Sequence, residues 1–234
     1  MGLYLIIMGV QGAGKGTQAV SIKEKYNILH VSTGELFRAM KARQDDLAQR
    51  VQEIMESGML IPDDVTNEVL RDRLEQPDAA VGAVLDGYPR NIAQAQWLEN
   101  YLAGRGEKVT AALQLDLDPY TAFKRAFGRV SSAESGQQYN IYTANEGLEW
   151  QTVDHPEKSF PPRLEVRRKE TGEVLKRRAD DEAVAVIKRI DTYLEQTAPL
   201  IDFYREKGSL LTVPADQPID AVGQAIIQAV DSVK

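Results

Sequence analysis

Short apolar runs alternate along the chain with longer stretches in which apolar and polar residues mix. The runs are residues 4–8, 28–31, 81–85, 111–115 and 210–213, of which 28–31 is the weakest. A continuous apolar run of this kind is typical of a strand buried on both faces. Between the runs, apolar residues recur at spacings near three and four, which predicts helices. The predicted helices cover residues 17–26, 34–57, 91–102, 119–129, 180–207 with an interruption at Pro199, and 219–233.

This alternation predicts the fold class. Strands that alternate with helices form a parallel α/β sheet covered by helices on both faces. Residues 131–178 do not follow this alternation of strands and helices, because the stretch is polar and rich in glycine and proline. It is too long for a plain loop, so we expect a small inserted domain or lid, with a disordered insertion as the alternative. The aromatic residues Tyr139, Tyr142 and Trp150 weigh against disorder.

Composition limits the classes of function. The 234 residues include no cysteine, which excludes disulfides, thiolate-bound zinc and a cysteine nucleophile. The formal net charge of −7 disfavours a nucleic-acid partner, so any anionic substrate must be held by local clusters of cations. No apolar run is long enough to span a bilayer, and the apolar start at residues 3–8 is too short for a signal peptide. We therefore expect a soluble cytoplasmic protein without a membrane partner.

A glycine-rich segment, GVQGAGKGTQ at residues 9–18, follows the first predicted strand. Its glycines let successive backbone N–H groups point at an anion, the next helix adds its positive end, and Lys15 adds a mobile charge. Gly16 stands where the strict phosphate-loop pattern has a hydroxyl that binds Mg²⁺, and Thr17 comes one residue later. The alternative, a glycine-rich turn with a solvated lysine, fits poorly with a strand before and a helix after the segment. The segment therefore predicts binding of a nucleoside triphosphate.

Several motifs together resemble the adenylate kinase family. Besides the glycine-rich segment they are HVSTGELFR at 30–38, LDGYPRNIAQAQ at 85–96, KRAFGR at 124–129, RADD at 178–181 and VIKR at 186–189. Their order and spread along nearly the whole chain make the resemblance specific. It implies a P-loop NTPase-type sheet of five parallel strands, with the core at 1–31, 62–124 and 180–234. It also implies a monophosphate-binding domain at 32–61, a long-form lid at 125–179 and a monomeric enzyme.

The implied reaction is the reversible, Mg²⁺-dependent transfer of a phosphoryl group from ATP to AMP, giving two ADP. Such transfer depends mainly on positioning and on neutralising spread negative charge, and arginine can clamp phosphate oxygens with two hydrogen bonds. The resemblance implies a catalytic set of Lys15, Asp86, Arg90, Arg129, Arg178 and Arg189. It implies an ATP site of Gly12, Ala13, Gly14, Lys15, Gly16, Thr17, Arg125, Arg129, Gln138, Tyr139 and Gln217. It implies an AMP site of Thr33, Arg38, Met59, Leu60, Ile61, Gly87, Tyr88, Pro89, Arg90, Gln94, Arg178 and Arg189.

Individual roles follow from the same resemblance. Arg38 and Arg90 would bind the AMP phosphate, Arg178 and Arg189 would arrive with the lid, and Asp86 would orient waters on Mg²⁺ with no direct protein ligand to the metal. For a lone arginine the simpler alternative is a surface salt bridge, and Asp86 could instead cap its strand.

The sequence says less about which bases the two nucleotides carry. Thr33 and Gln94 match positions that the family uses to read adenine, although Thr33 could also be a helix N-cap. The sequence PRN, which ends at Asn91, also occurs in pyrimidine monophosphate kinases. A UMP/CMP kinase therefore stays open as an alternative, as does a GTP-dependent AMP kinase. A nucleotide sensor without turnover is the alternative from another class.

The chain departs from the family at three places. The positions that carry zinc ligands in many relatives are Ser132, Ser135, Arg168 and Thr171, which predicts a lid held by hydrogen bonds and packing rather than by structural zinc. The lid has an extra piece near residues 143–158, which is a longer hairpin with Trp150 packed on it, an altered lid hinge or a contact surface. Gln11 replaces the family's usual proline, and we expect activity to survive that change.

Overall fold

The computed structural model describes residues 2–57, 60–154, 162–178 and 181–234, and the chain divides into two compact units. The first unit comprises Met1–Gly9, Gly14–Asp116 and Leu194–Lys234, and the second comprises Val10–Ala13 and Leu117–Tyr193. The strands are β1 (Leu3–Met8), β2 (Leu29–Ser32), β3 (Gly82–Asp86), β4 (Val109–Asp116), β5 (Arg129–Ser131), β6 (Gln138–Asn140), β7 (Leu148–Val153), β8 (Arg163–Arg168) and β9 (Leu210–Pro214). The α-helices are α1 (Lys15–Tyr26), α2 (Thr33–Met40), α3 (Asp46–Glu56), α4 (Asp63–Leu74), α5 (Ile92–Ala103), α6 (Pro119–Phe127), α7 (Ala183–Thr192), α8 (Pro199–Glu206) and α9 (Ile219–Asp231).

The first unit is built on a five-stranded sheet in the order β2-β3-β1-β4-β9, and every neighbouring pair is parallel. All six residues of β1, the central strand, are buried, as its continuous apolar run predicts. Side chains of β1 and β3 pack with α4, α5 and α8 in one core. The predicted α/β class with a parallel sheet is confirmed.

Three helices of the first unit, α2, α3 and α4, depart from the sequence prediction. Residues 34–57, predicted as one helix, form α2 and α3, because Asp45 ends the intervening turn and its side chain accepts a hydrogen bond from Ala48 N at 3.1 Å. Arg43 fixes that turn from the other side through Asp45 and Asp72, at 2.7 and 2.6 Å. Helix α4 is an addition, since its sequence DDVTNEVLRDRL is too polar to stand out by periodicity.

The second unit contains α6, α7 and two antiparallel two-stranded sheets, β5-β6 and β7-β8. Val130, Ile141, Leu148, Val166 and Leu175 form a buried core between the strands. The described part of residues 131–178 is therefore folded, and the alternative of a disordered insertion is wrong for it.

The extra piece of this stretch contributes a hairpin strand. Trp150 on β7 lies opposite Val166 on β8, and its side chain is 47% exposed. Residues 155–161, which include His155, lie outside the described residues.

Hydrogen bonds join Ser132, Ser135 and Thr171, three of the positions at which the sequence predicts hydrogen bonds in place of a structural zinc. The hydroxyl of Ser132, a residue only 3% exposed, donates to Glu173 Oε1 at 2.8 Å and accepts from Ser135 N at 3.1 Å. Glu173 Oε1 also accepts from Ala133 N, while Glu173 N donates to Thr171 Oγ1. The Ser132 hydroxyl, followed by backbone N–H groups, lowers the pKa of Glu173 below its ordinary value. Glu173, which the sequence reasoning did not single out, is the centre of this network.

Candidate active site

The glycine-rich segment connects β1 to α1. Gly12 has a φ of +95°, and a Cβ there would lie 2.4 Å from Ala122 O, so only glycine fits. Gly14 precedes α1 in the left-handed conformation. The first turn of α1 carries no acidic side chain, which leaves the positive end of the helix available to an anion.

Lys15 is the first residue of α1, and Asp86 lies beside the first turn of that helix. Lys15 Nζ donates to Gly9 O at 2.6 Å, so its ammonium group folds back along the segment. Asp86 ends β3, and its Oδ2 lies 3.6 Å from the position that a Cβ of Gly16 would take. His30 Nε2 lies 3.6 Å from the same carboxylate oxygen.

Thr33, Gly87 and Arg90 form a tight group next to these residues in the first unit. The Thr33 hydroxyl donates to Gly87 O at 3.1 Å, and Arg90 Nε donates to the same oxygen at 2.9 Å. Gly87 has a φ of +81°, and a Cβ there would lie 2.9 Å from Thr33 Oγ1. Thr33 is the first residue of α2, and Ser32 takes the N-cap position, so the suggested N-cap role of Thr33 is wrong.

Gln94 lies next to this group with both ends of its amide bonded. Its Nε2 donates to Asp63 Oδ1 at 2.6 Å, and its Oε1 accepts from Arg90 N at 2.8 Å. Asn91 Nδ2 donates to the other oxygen of Asp63 at 2.9 Å, and Asn91 Oδ1 caps α5 through Gln94 N. Asn91 is therefore engaged inside the protein, and its side chain gives no support to a pyrimidine base.

The remaining residues of the expected AMP site are placed as follows. Tyr88 is buried, its hydroxyl lies 2.5 Å from Asn67 Oδ1 and 3.1 Å from Gln94 O, and burial raises its pKa above the ordinary value. Pro89 is buried, and Leu60 is 90% exposed. An exposed Arg38 has its Nη1 3.4 Å from the Cβ position of Gly34. Ile61 packs on the core of α3 and α4, while Met59 lies outside the described residues.

The second unit holds Arg129 firmly. Its guanidinium makes two hydrogen bonds to Asp181, at 2.9 and 2.7 Å, and the Asp181 side chain is completely buried. Gln11, the residue in place of proline, has its Nε2 3.5 Å from the same carboxylate. Asp181 belongs to the RADD motif, so the sequence carried a signal for this partner that residue-by-residue reasoning missed.

The neighbouring arginines differ in their surroundings. Arg177 Nη2 donates to Phe127 O and Asp181 O, and its Nη1 pairs with Glu182 at 3.1 Å. Arg178, by contrast, is exposed. The sequence reasoning named Arg178 alone, and nothing in the order of the two residues tells which one is bonded inside the unit.

Most of the other expected residues of the ATP side lie at or near the surface. Gln138 and Tyr139 stand on β6, where the Tyr139 hydroxyl donates to Gln137 Oε1 at 2.8 Å. Arg125 is on α6 and accepts from Asn140 Nδ2 through its backbone oxygen. Thr17, Arg189 and Gln217 are exposed, and Ala13 is buried.

The described residues contain neither a metal-binding cluster nor a helix that could span a membrane. Within the residues that the structure describes, no group of three or more His, Asp or Glu side chains could hold a metal ion. In the same residues, no helix has the length and apolar character needed to cross a bilayer.

The chain is similar to known proteins over most of its length. A family model described as adenylate kinase matches residues 7–209. An adenylate kinase of Caldanaerobacter subterraneus subsp. tengcongensis is 36% identical over 227 residues, which are 97% of this chain and 96% of that protein. One of Listeria monocytogenes serotype 4a is 39% identical over 221 residues, or 94% and 95% of the two chains. One of Symbiobacterium thermophilum is 39% identical over 228 residues, or 97% and 98%.

Proposed function

The chain belongs to the adenylate kinase family, and we propose that it transfers the terminal phosphoryl group of ATP reversibly to AMP, giving two ADP. Its predicted enzyme class, a nucleoside monophosphate kinase, agrees with those similarities. The observation that carries the proposal is the grouping in the first unit. There Lys15 begins α1 and Asp86 lies beside its first turn, while Thr33, Gly87, Arg90 and Gln94 are joined by hydrogen bonds.

The proposed chemistry needs no general base. The acceptor is an anionic phosphate oxygen of AMP, which forms the new P–O bond to the terminal phosphorus of ATP. The bond between that phosphorus and the β–γ bridging oxygen breaks at the same time, and ADP leaves with that oxygen. Rate enhancement then comes from orientation and from cations placed where negative charge spreads. Lys15 is proposed to contact the ATP phosphates, while Arg38 and Arg90 bind the AMP phosphate. Arg125, Arg129, Arg178 and Arg189 are proposed to complete the positive environment.

Magnesium is the cofactor that we infer for this reaction. The donor set fits indirect binding, because Gly16 offers no hydroxyl and the Asp86 carboxylate lies beside the first turn of α1. Asp86 would hold a magnesium ion through water, and the ion would supply charge neutralisation to the phosphates. A neutral group at this position would leave the ion without that support.

We propose that residues 32–61 bind the monophosphate and that residues 125–179 act as a lid that excludes water. Exclusion of water would protect the donor from hydrolysis. We further infer a monomer that works in the cytoplasm, since a chain without cysteine suits a reducing compartment.

A coupled assay tests the function. The protein is mixed with Mg²⁺ and ATP together with AMP, CMP or UMP, and formation of diphosphate is followed; GTP replaces ATP in a second series. We expect ADP from AMP, with far less product from the pyrimidines. Absence of ADP would contradict the proposal, preference for CMP or UMP would favour a pyrimidine kinase, and preference for GTP would change the donor.

A further inference from the structure

Asp63 holds two side-chain amides at the end of the candidate monophosphate site. One carboxylate oxygen accepts from Gln94 Nε2 at 2.6 Å, and the other accepts from Asn91 Nδ2 at 2.9 Å. Each amide oxygen in turn accepts a backbone N–H, that of Arg90 at 2.8 Å for Gln94 and that of Gln94 at 2.9 Å for Asn91. Both amides are therefore bonded at both ends.

This arrangement fixes which way the Gln94 amide points. A carboxylate only accepts hydrogen bonds and a backbone N–H only donates them. Turning the amide over would place its oxygen against the Asp63 carboxylate and its NH₂ group against the Arg90 N–H. Gln94 is 4% exposed, so water could do little to replace the lost hydrogen bonds.

The fixed orientation leaves a definite pattern for a ligand. The Asp63 bond uses one hydrogen of the NH₂ group, and the Arg90 N–H uses one lone pair of the carbonyl oxygen. One donor and one acceptor remain, and adenine offers the matching pair, an N6–H donor and an N1 acceptor. In a 6-oxopurine such as hypoxanthine the pair is reversed, because O6 accepts and N1–H donates.

We infer that Asp63 is a specificity-determining residue, which selects adenine over 6-oxopurines by locking the orientation of the Gln94 amide. This inference rests on the proposed function, in which Gln94 faces the base of the monophosphate. Asp63 itself is a positioning residue that acts through Gln94. The sequence reasoning did not single it out.

Inosine monophosphate is the sharpest probe, because it differs from AMP in those two atoms of the base edge. For the unaltered protein we expect kcat/KM to favour AMP over inosine monophosphate by roughly 10³-fold or more, since the wrong base would leave buried polar groups unpaired. Comparable rates with both nucleotides would overturn the inference. Failure to phosphorylate AMP at all would count against the proposed function instead.

The decisive variant is Asp63→Asn. An amide at position 63 has one acceptor and one donor to face two NH₂ groups, so the carboxylate no longer holds the Gln94 amide and only the Arg90 N–H still opposes its reversed orientation. We expect the AMP preference to fall at least tenfold, with a rise in kcat/KM for inosine monophosphate. A merely structural role would lower both activities together and leave their ratio unchanged, and that result would overturn the inference.

Asp64→Asn is the matched control, because it removes the same charge from the adjacent, exposed residue. Its preference should stay within threefold of the unaltered protein. Should Asp63→Asn fail to fold, as judged by thermal unfolding, Asp63→Ser gives the second test. A hydroxyl also both donates and accepts, so the same loss of preference is expected, and an unchanged ratio in Asp63→Ser would equally contradict the role of Asp63.

Discussion

At the scale of single residues, the candidate site depends on cations that the protein itself holds in place. The Lys15 ammonium donates to Gly9 O at 2.6 Å, and the Arg90 guanidinium donates to Gly87 O at 2.9 Å. Backbone oxygens therefore orient both cations before any nucleotide is bound. Phosphate oxygens are stronger acceptors than backbone oxygens, so a bound nucleotide would compete with Gly9 O and Gly87 O for these two cations.

Lys15→Met tests the charge at the glycine-rich segment. Methionine keeps much of the side-chain volume and removes the ammonium, so we expect kcat/KM for ATP and AMP to fall by ~10²-fold or more. Lys23→Met, an exposed lysine on the same helix, is the control and should stay close to the unaltered rate. A loss below threefold for Lys15→Met would mean that the segment takes no part in catalysis.

At the scale of elements, one carboxylate in the second unit joins two turns through hydrogen bonds. The Ser132 hydroxyl and Ala133 N both donate to Glu173 Oε1, and Arg168 Nη1 lies 3.9 Å from Glu173 Oε2. One carboxylate thus ties the turn after β5 to the turn after β8. Because its hydrogen bonds favour the ionised form, this tie depends on pH.

Glu173→Ala leaves the buried Ser132 hydroxyl without an acceptor for its hydrogen, although that hydroxyl still accepts from Ser135 N. We expect the unfolding temperature at pH 7 to fall by a few degrees. Since the pKa of Glu173 is lowered in the folded protein, its contribution is present above the ordinary value of 4.5 and is lost as the pH falls through the lowered pKa. The difference in unfolding temperature between the variant and the unaltered protein should therefore shrink in acid. Thermal unfolding at pH 7 and at a pH below the lowered pKa of Glu173 measures this change. Glu170→Ala is the control, because the Glu170 side chain is 84% exposed.

The sequence predicted most strands of the central sheet correctly, but it predicted the helices less well. Strands β1, β3, β4 and β9 were predicted within a few residues because a strand buried on both faces is continuously apolar. Helix α4 was missed because its apolar positions are sparse, and α2 and α3 were merged because one N-cap, Asp45, separates them. The hydrophobic pattern of the sequence thus predicts burial well, but it predicts local hydrogen bonds poorly.

For the candidate site too, the sequence predicted some of the residues and missed others. Motifs pointed to Lys15, Thr33, Arg90 and Gln94, and the structure brings Thr33, Arg90 and Gln94 into one bonded group. Asp63 comes from the start of another helix, α4, and its partnership with Gln94 spans 31 positions of the chain. A contact of that kind depends on tertiary packing, which neither periodicity nor a short motif reports.

At the scale of the whole molecule, an acidic protein must bind two highly charged nucleotides. The net charge of −7 opposes their approach in general, so the affinity must come from the local cations of the site. A single ligand that occupies both nucleotide sites would engage all of these cations together. Its binding should therefore stabilise the folded state strongly.

Two adenosines joined through a polyphosphate provide such a ligand. At a concentration 100 times the dissociation constant, the folded state should gain about 2.7 kcal/mol, which corresponds to roughly 5–10 °C in the unfolding temperature of a chain of this size. Thermal unfolding measures this shift, and Lys15→Met should show a smaller one at the same concentration. No shift with millimolar ligand would argue against a site that takes two nucleotides.

The placement of the chain's two tryptophans has a practical consequence. Trp97 belongs to the first unit and stacks on Tyr101 with ring centroids 5.2 Å apart, whereas Trp150 belongs to the second unit and is half exposed on β7. Each unit thus carries one intrinsic fluorophore in a different solvent environment. A packed indole emits at shorter wavelength than a hydrated one and is shielded from soluble quenchers. Emission spectra can therefore follow the second unit separately from the first, without any label attached to the protein.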